Sequence, residues 1–248
     1  MITRKSRAEI ATMRRAGRIV AEVLALVGES LRPGVSTAHL DAIAEAHIRK
    51  SGATPSFQGY HGYPSSICIS IDREVVHGIP GNRVIRDGQV VSIDAGAIVD
   101  GWHGDAARTF IVGDAPQAVR DLVETTRLAL EAGVAATRAG NRIWDISAAV
   151  EDVAMPRGYG IVRPYVGHGI GTAMHEDPQV PNYRTKSRGI ELAPGICLAI
   201  EPMFTLGSAD VETLGDGWTV VTRDGSPAAH WEDTVAVTDD GPEVLTRP

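Results

Sequence analysis

Cysteine is nearly absent from the 248-residue sequence: Cys68 and Cys197 lie far apart and form no CxxC pair. Neither a disulfide framework nor a cysteine-ligated zinc site is indicated, and a reducing cytoplasm is the expected compartment. Long apolar runs are also missing. No segment approaches the ~18 uncharged apolar residues of a membrane span. The opening Met1-Ile2-Thr3-Arg4-Lys5-Ser6, followed by Glu9, Arg14, Arg15 and Arg18, has no apolar core of an export signal. Positive charge is in deficit, with Lys+Arg 24 against Asp+Glu 31 and a net of −7. That balance argues against a polyanion such as nucleic acid as the main partner. Several catalytic signatures are absent as well. There is no GxSxG elbow and no Gly-Lys pair to complete a P-loop. His175-Glu176 opens like HExxH, but position 179 is Gln, and Pro178 would break the helix that motif needs. Gly167-His168-Gly169-Ile170-Gly171 fails the GxGxxG spacing at Thr172. What remains is ordinary globular composition, 43% apolar and 22% charged, in a chain long enough to bury a substantial core.

Ser6-x-x-Glu9 is a capping-box pattern, and Ile10, Met13, Gly17, Val20, Leu24 and Val27 recur at helical spacing, so a first helix is expected over about 7–28. Ser36 or Thr37 caps a second, through Leu40, Ile43, Ala44 and Ile48, stopping near Gly52. Short β-like runs follow at Ile67–Ile71, Val90–Val99 and Thr109–Val112. Asp114, ahead of Pro116, is expected to start a third helix lasting to about Gly140, and Asp145 a fourth that ends before Pro156. β texture then returns. The order suggests a duplicated αβ unit. A shift of 106 places Arg32 on Arg138, Gly34 on Gly140, Leu40 on Ile146 and Glu45 on Glu151. Chance matching in helical sequence gives the same letters, so the repeat stays open on this ground alone. With no low-complexity linker, one domain with two pseudo-equivalent lobes and a cleft between them is expected.

The most informative stretch runs from Val90 to Asp105. Asp100-Gly101 is the preferred dipeptide of a type I′ hairpin, because both central residues need φ > 0. With those two at the turn, cross-strand partners have numbers summing to 201, so Asp94 faces Ala107 and Asp105 faces Gly96. The two carboxylates then share a sheet face as diagonal neighbours, about 7–8 Å apart at Cβ or less. Two anions held so close repel unless a cation lies between them, which suits one divalent metal or a bridged pair. Two solvated aspartates beside a polar turn are the alternative. In the second half, His168 stands among glycines, where little bulk blocks approach to the imidazole. Glu201 follows the apolar run Ile196–Ile200, and Glu232 lies between Trp231 and Thr234-Val235-Ala236-Val237. Each acid reads singly as a strand-end surface residue or a buried, compensated anion. Together with Asp94, Asp105 and His168 they favour a shared metal.

These residues resemble those of the type I methionine aminopeptidases, the short form within the pita-bread metallohydrolase family. The matching blocks are His77-Gly78-Ile79-Pro80, Asp94 and Asp105 eleven apart, Gly167–Gly171 continuing to His175-Glu176-Asp177-Pro178, Ile200-Glu201-Pro202-Met203, and Glu232 before Val235-Ala236-Val237. They span essentially the whole chain in the family's order. Only 32 residues separate His168 from Glu201, too few for the helical insertion of the type II enzymes, and no long N-terminal extension is expected.

The resemblance implies an α+β pita-bread (creatinase/aminopeptidase) fold, with two pseudo-symmetric αβ lobes and a curved antiparallel sheet covered by helices. It implies a single catalytic domain over 1–248, with an N-terminal lobe of about 1–113 and a C-terminal lobe of about 114–248. Asp94, Asp105, His168, Glu201 and Glu232 would ligate two divalent ions, and the donor set suits Co, Mn, Fe or Zn. The ions would supply water acidified from a pKa of ~15.7 towards ~7, and one would receive the free α-amino group. Glu201 would pass a proton to the leaving amine, His175 would donate to the oxyanion, and His77 would hold the scissile amide. Tyr63, Cys68, Met174 and Trp218 fall where the family lines its pocket for the methionine side chain, a soft thioether. The implied activity is removal of the initiator methionine from nascent chains with a small second residue. It would take place in the cytoplasm, near the ribosome, by a monomer with no nucleic-acid or membrane partner. The chain's own second residue is Ile2, branched and bulky, so Met1 is expected to be retained, as an intact-mass measurement would show. Two departures stand out. Asp233 replaces a His frequent in the family and is expected to add an acid near the metals, and Met174 replaces a frequent aromatic. A proline-directed aminopeptidase of the same fold and a non-catalytic pita-bread binding protein are the competing readings.

Overall fold

Ser6 opens the first helix as a reciprocal cap. Its Oγ accepts from Glu9 N at 3.3 Å, while Glu9 Oε2 accepts from Ser6 N at 2.7 Å. In the computed structural model, which describes residues 2–248, this helix is α1 (Arg7–Ser30), and α2 (Thr37–Lys50) starts after the Ser36 cap. Met1, whose retention is expected above, lies outside the described residues. The third helix is shorter than the sequence suggests. α3 spans Gln117–Ala136 because the residue before a proline is disfavoured in helical geometry, so Ala115 and Asp114 stay outside. Asp114 instead pairs with Arg120. At the other end Thr137 closes the helix, its Oγ1 donating to Gly133 O at 2.9 Å. The fourth helix, α4 (Ile143–Ala154), begins two residues before Asp145. Asp145 sits inside the first turn, its carboxylate accepting from Arg142 N at 2.7 Å.

The offset of 106 reappears in the backbone. α2 starts at 37 and α4 at 143; Gly34 and Gly140 are both left-handed, with φ +94° and +88°. Ser36 and Arg142, again 106 apart, each form a lone antiparallel bridge, to Val84 and to Glu191.

Among the described residues, four antiparallel sheets carry the rest, and two of them build most of the site. In the first, Val90–Val99 pairs with Ile67–Ile71 on one side and with Trp102–Ile111 on the other. The 109–112 run is thus the end of the hairpin's return strand. The hairpin register is the one the turn dictates: Asp94 opposes Ala107 and Asp105 opposes Gly96, with Asp100 and Gly101 at φ +49° and +81°. In the second sheet the order is Gly241–Val244, Asp233–Thr238, Cys197–Ile200, Gly167–Gly169 and Glu176–Val180. α1 and α2 bury Val20, Val23, Leu24, Leu40 and Ile48 against Ile67 and Ile93 of the first sheet. Leu130 of α3 and Ile146 of α4 pack on Leu198, Ile200 and Val235 of the second. Each such side chain contributes about 1.5–3 kcal/mol.

The N- and C-terminal halves of the chain meet along a seam of three rungs, one of them at His230 of a separate three-stranded sheet. In the middle, Ala107 and Glu232 exchange backbone hydrogen bonds of 3.3 and 3.0 Å. On either side a threonine hydroxyl makes the rung. Thr234 Oγ1 accepts from Asp105 N (3.0 Å) and donates to Asp105 O (2.8 Å). Thr109 Oγ1 accepts from His230 N (2.9 Å) and donates to His230 O (2.6 Å). No helix among the described residues is long and apolar enough to cross a membrane.

Candidate functional site

The strand period of two aims alternate residues of the seam at one face, and on that face lies a cleft of about 430 Å³. Asp94, Asp105, His168, Glu201 and Glu232 all line it. Asp94 comes from the outgoing strand of the hairpin and Asp105 from the return strand. Glu201 lies one residue past Cys197–Ile200, its carbonyl accepting from Asn182 Nδ2 at 3.0 Å. Donor atoms of Asp105, His168 and Glu232 all lie within 4.8 Å of one another. His168 Nε2 is 3.7 Å from Glu201 Oε1 and 4.0 Å from Asp105 Oδ2.

The glycines around His168 serve packing against neighbouring strands. A Cβ on Gly167 would come within 2.4 Å of Ala199 O, and one on Gly169 within 2.2 Å of Asp177 O. That is a different role from leaving the imidazole approachable. His168 Nδ1 lies 2.9 Å from Gly169 O, an arrangement in which Nδ1 carries the proton and Nε2 faces the carboxylates as a free lone pair.

Electrostatically the cluster is unbalanced. Burial, and then mutual repulsion, pushes the carboxyls of Asp105, Glu201 and Glu232 well above their usual range, and burial raises Asp94 to about 7. Burial holds His168 down to about 3, a neutral imidazole. Asp94 Oδ1, Asp105 Oδ1, Glu232 Oε1 and His230 Nε2 are buried without any hydrogen-bond partner. Unpartnered buried oxygens of Asp94, Asp105 and Glu232, all lining one cleft, call for a cation, and four carboxylates with an imidazole are a donor set for divalent metal.

The expected substrate-facing residues line the same cleft. Phe57, Tyr63, Cys68 and Met174 form one buried apolar cluster, with Tyr60, Ile79 and Trp218 against it. Trp218 meets Tyr63 edge-on at 5.0 Å between centroids. Cys68 pairs with Asp94 across the sheet, so the pocket wall and the acid cluster share a strand pair. His77 holds a left-handed backbone at φ +61°, a strained conformation for a non-glycine, and burial lowers its imidazole to about 4. The His175 ring centroid lies 4.2 Å from that of His168 with the planes tilted by 51°, and its Nδ1 lies 2.8 Å from Tyr60 Oη.

Asp233, expected to add acid beside the metals, faces the other way. The strand alternation that turns Glu232 into the cleft turns Asp233 behind it. There, fully buried, it accepts from Arg108 Nη2 and Arg247 Nη2 (2.7 Å each), Arg247 Nε (2.9 Å) and Thr246 Oγ1 (2.8 Å).

Sequence reasoning missed four residues here: Phe57, Tyr60 and His61 on the cleft wall, and His230, whose Nε2 is 3.8 Å from both Glu201 and Glu232. His230 was recoverable, since it lies two residues before Glu232. The other three belong to a loop with no period to read.

Comparison with known proteins agrees with this geometry. The model of "Metallopeptidase family M24" matches residues 11–239. Methionine aminopeptidase 1 of Mycobacterium tuberculosis is 53% identical over 253 residues, covering 99% of this chain and 95% of that one. The methionine aminopeptidase of Clostridium acetobutylicum is 51% identical over 247 residues, covering 99% of each. The crystal structure of methionine aminopeptidase from Thermotoga maritima superposes with a TM-score of 0.98 at 40% identity, covering 100% of both chains.

Proposed function

The chain belongs to metallopeptidase family M24, and from that premise we propose that it is a metal-dependent aminopeptidase that removes the initiator methionine from polypeptide N-termini. One observation carries the reading: acids and an imidazole from both sheets converge, uncompensated, at one end of a soft apolar pocket. Asp94, Asp105, His168, Glu201 and Glu232 would hold two divalent ions, of Co, Mn, Fe or Zn. When bound, such ions supply Lewis acidity, lowering the pKa of water from 15.7 towards ~7.

The protein's own side chains supply the rest. Phe57, Tyr63, Cys68, Met174 and Trp218 accept the methionine side chain, since an unbranched thioether suits aromatic and sulfur contacts. Glu201, beside His168 and His230, takes a proton from the attacking water and returns it to the leaving amine. Partial desolvation at the cleft wall, and then the charge of His61, lowers the His175 imidazole from its ordinary range. With Tyr60 Oη donating to its Nδ1, His175 keeps its proton on Nε2 and donates a hydrogen bond through it to the carbonyl oxygen as charge develops. His77, neutral on its strained loop, holds the scissile amide. A confined site beside it favours a small second residue. Nascent chains near the ribosome in the cytoplasm are the substrate, and the monomer is the working unit.

The test is hydrolysis of Met-Ala-Ser by metal-stripped protein titrated separately with Mn, Fe, Co and Zn, beside Ala-Pro and other X-Pro peptides. Metal-restored release of methionine is expected. Turnover of the X-Pro peptides alone would transfer the chain to a proline-directed activity, and an absence of bindable divalent ion would make it a binding protein.

A further inference from the structure

Ahead of α1, Lys5 is a buried cation, its side chain 4% exposed, whose partner lies 171 residues away. Its Nζ donates to Glu176 Oε2 at 2.7 Å and to Thr3 Oγ1 at 2.9 Å, and Thr3 Oγ1 in turn donates to Glu176 Oε2 at 2.8 Å. The segment is fixed from below. Lys5 N donates to Gly195 O at 2.7 Å and Arg4 Nε to Pro194 O at 2.8 Å. Glu176 therefore has one oxygen tied to a rigid anchor. Its other oxygen, Oε1, accepts from Ala173 N at 3.3 Å.

Between Gly169 and Glu176 the chain forms neither helix nor ladder, yet it carries Met174 of the pocket wall and His175. Its backbone ties are sparse: Ile170 N to Cys197 O, Gly171 N to Ala173 O, and His103 N to Gly171 O. Gly171 lies directly against the ion pair, and a Cβ there would meet Glu176 Oε1 at 2.4 Å and Lys5 Cε at 2.6 Å. A buried ammonium–carboxylate pair is a poor source of stability, because desolvation offsets its attraction. What it does supply is a fixed point on an otherwise loosely tied loop.

We propose that Lys5 and Glu176 are positioning residues, a clamp by which the segment before α1 sets where His175 and Met174 stand. This rests on the aminopeptidase reading for its catalytic consequence, though not for the clamp itself. Neither Lys5 nor Glu176 lines the cleft that holds the acid cluster and the apolar pocket. Its loss is therefore expected to loosen the loop and blur methionine selection without changing metal binding.

The experiment uses the full chain with Lys5→Met, Glu176→Gln, the double variant and Lys5→Arg. Hydrogen exchange of the 170–176 peptide, Mn affinity by calorimetry, and kcat and KM on Met-Ala-Ser and Leu-Ala-Ser are read for each. Expected are faster exchange in 170–176 with the 90–111 hairpin unchanged and a fall of kcat/KM for Met-Ala-Ser of ~10-fold or more. A narrowed Met/Leu ratio, Mn affinity within about twofold of the parent, and a double variant no worse than either single are expected with it, since the two act as a unit. Lys5→Arg should recover most of the loss. Unchanged loop exchange overturns the clamp, as do additive losses in the double variant or a fall in Mn affinity that parallels activity. If Lys5→Met does not fold, the near-isosteric Glu176→Gln decides by the same readouts. Should the parent protein fail to cleave Met-Ala-Ser, the functional reading falls, and loop exchange alone judges the clamp.

Discussion

His175, the proposed oxyanion donor, is held by Tyr60 on one nitrogen and lies with its ring centroid 4.2 Å from that of His168, the planes tilted by 51°. It is solvent-accessible on its other side, so removing it leaves no buried cavity. His175→Ala should therefore lower kcat on Met-Ala-Ser by about 10²–10³-fold, the cost of one lost oxyanion donor, with Tm unchanged by calorimetry. Asp233 behaves oppositely. Its carboxylate neutralises Arg108 and Arg247 behind Glu232, so Asp233→Asn should cost about 3–5 kcal/mol in denaturant unfolding while the folded fraction still binds its full complement of metal. Loss of metal stoichiometry without loss of stability would place Asp233 in the centre after all.

At the scale of elements, the hairpin is held from behind by α1. A Cβ on Gly104 would come within 2.6 Å of Gly17 N, and helix backbone cannot yield as a side chain does. Gly104→Ala should thus cost about 1–3 kcal/mol by overpacking, read as a lowered urea midpoint with an unchanged slope. The same hairpin was the most legible part of the molecule, because Asp100-Gly101 fixes a register and the register fixes which carboxylates share a face. The first two helices were legible for a similar reason, their caps and apolar stripes being local. α3 was not, because Pro116 overrules the capping preference of Asp114. The seam was invisible too. Thr109 and Thr234 are ordinary strand residues until the two halves meet, and nothing local marks them as rungs. Asp233 misled for want of one step, since strand alternation already places it opposite Glu232.

For the whole molecule, pH exposes the balance of buried charge. Burial depresses His168 and His230 to about 3, and His77 and His103 to about 4. Below about pH 6.5 the unfolded chain takes up protons that these folded histidines refuse, so their contribution to stability is lost as pH falls towards 4. The metal-free carboxyls have the opposite sign. Raised in the folded state, they stabilise below about pH 4 and lose that contribution as pH rises, Asp94 through about 7. Above pH 6.5 only the carboxyl effect remains. The Tm of chelator-treated protein should fall between pH 6.5 and 8, and saturating Mn should abolish the fall. A metal-free Tm that holds level or climbs across that interval would show that the acids are already compensated by something other than metal.

The three-rung seam has one more consequence. Asp105 and Glu232 are members of the rungs themselves, one from each half, so any slip of one half past the other is transmitted directly to the gap between them. An ion held by Asp105 and Glu232 would act as a rivet, so a single molecule pulled apart along the sheet should yield at markedly higher force when loaded, and tear first where the two halves join.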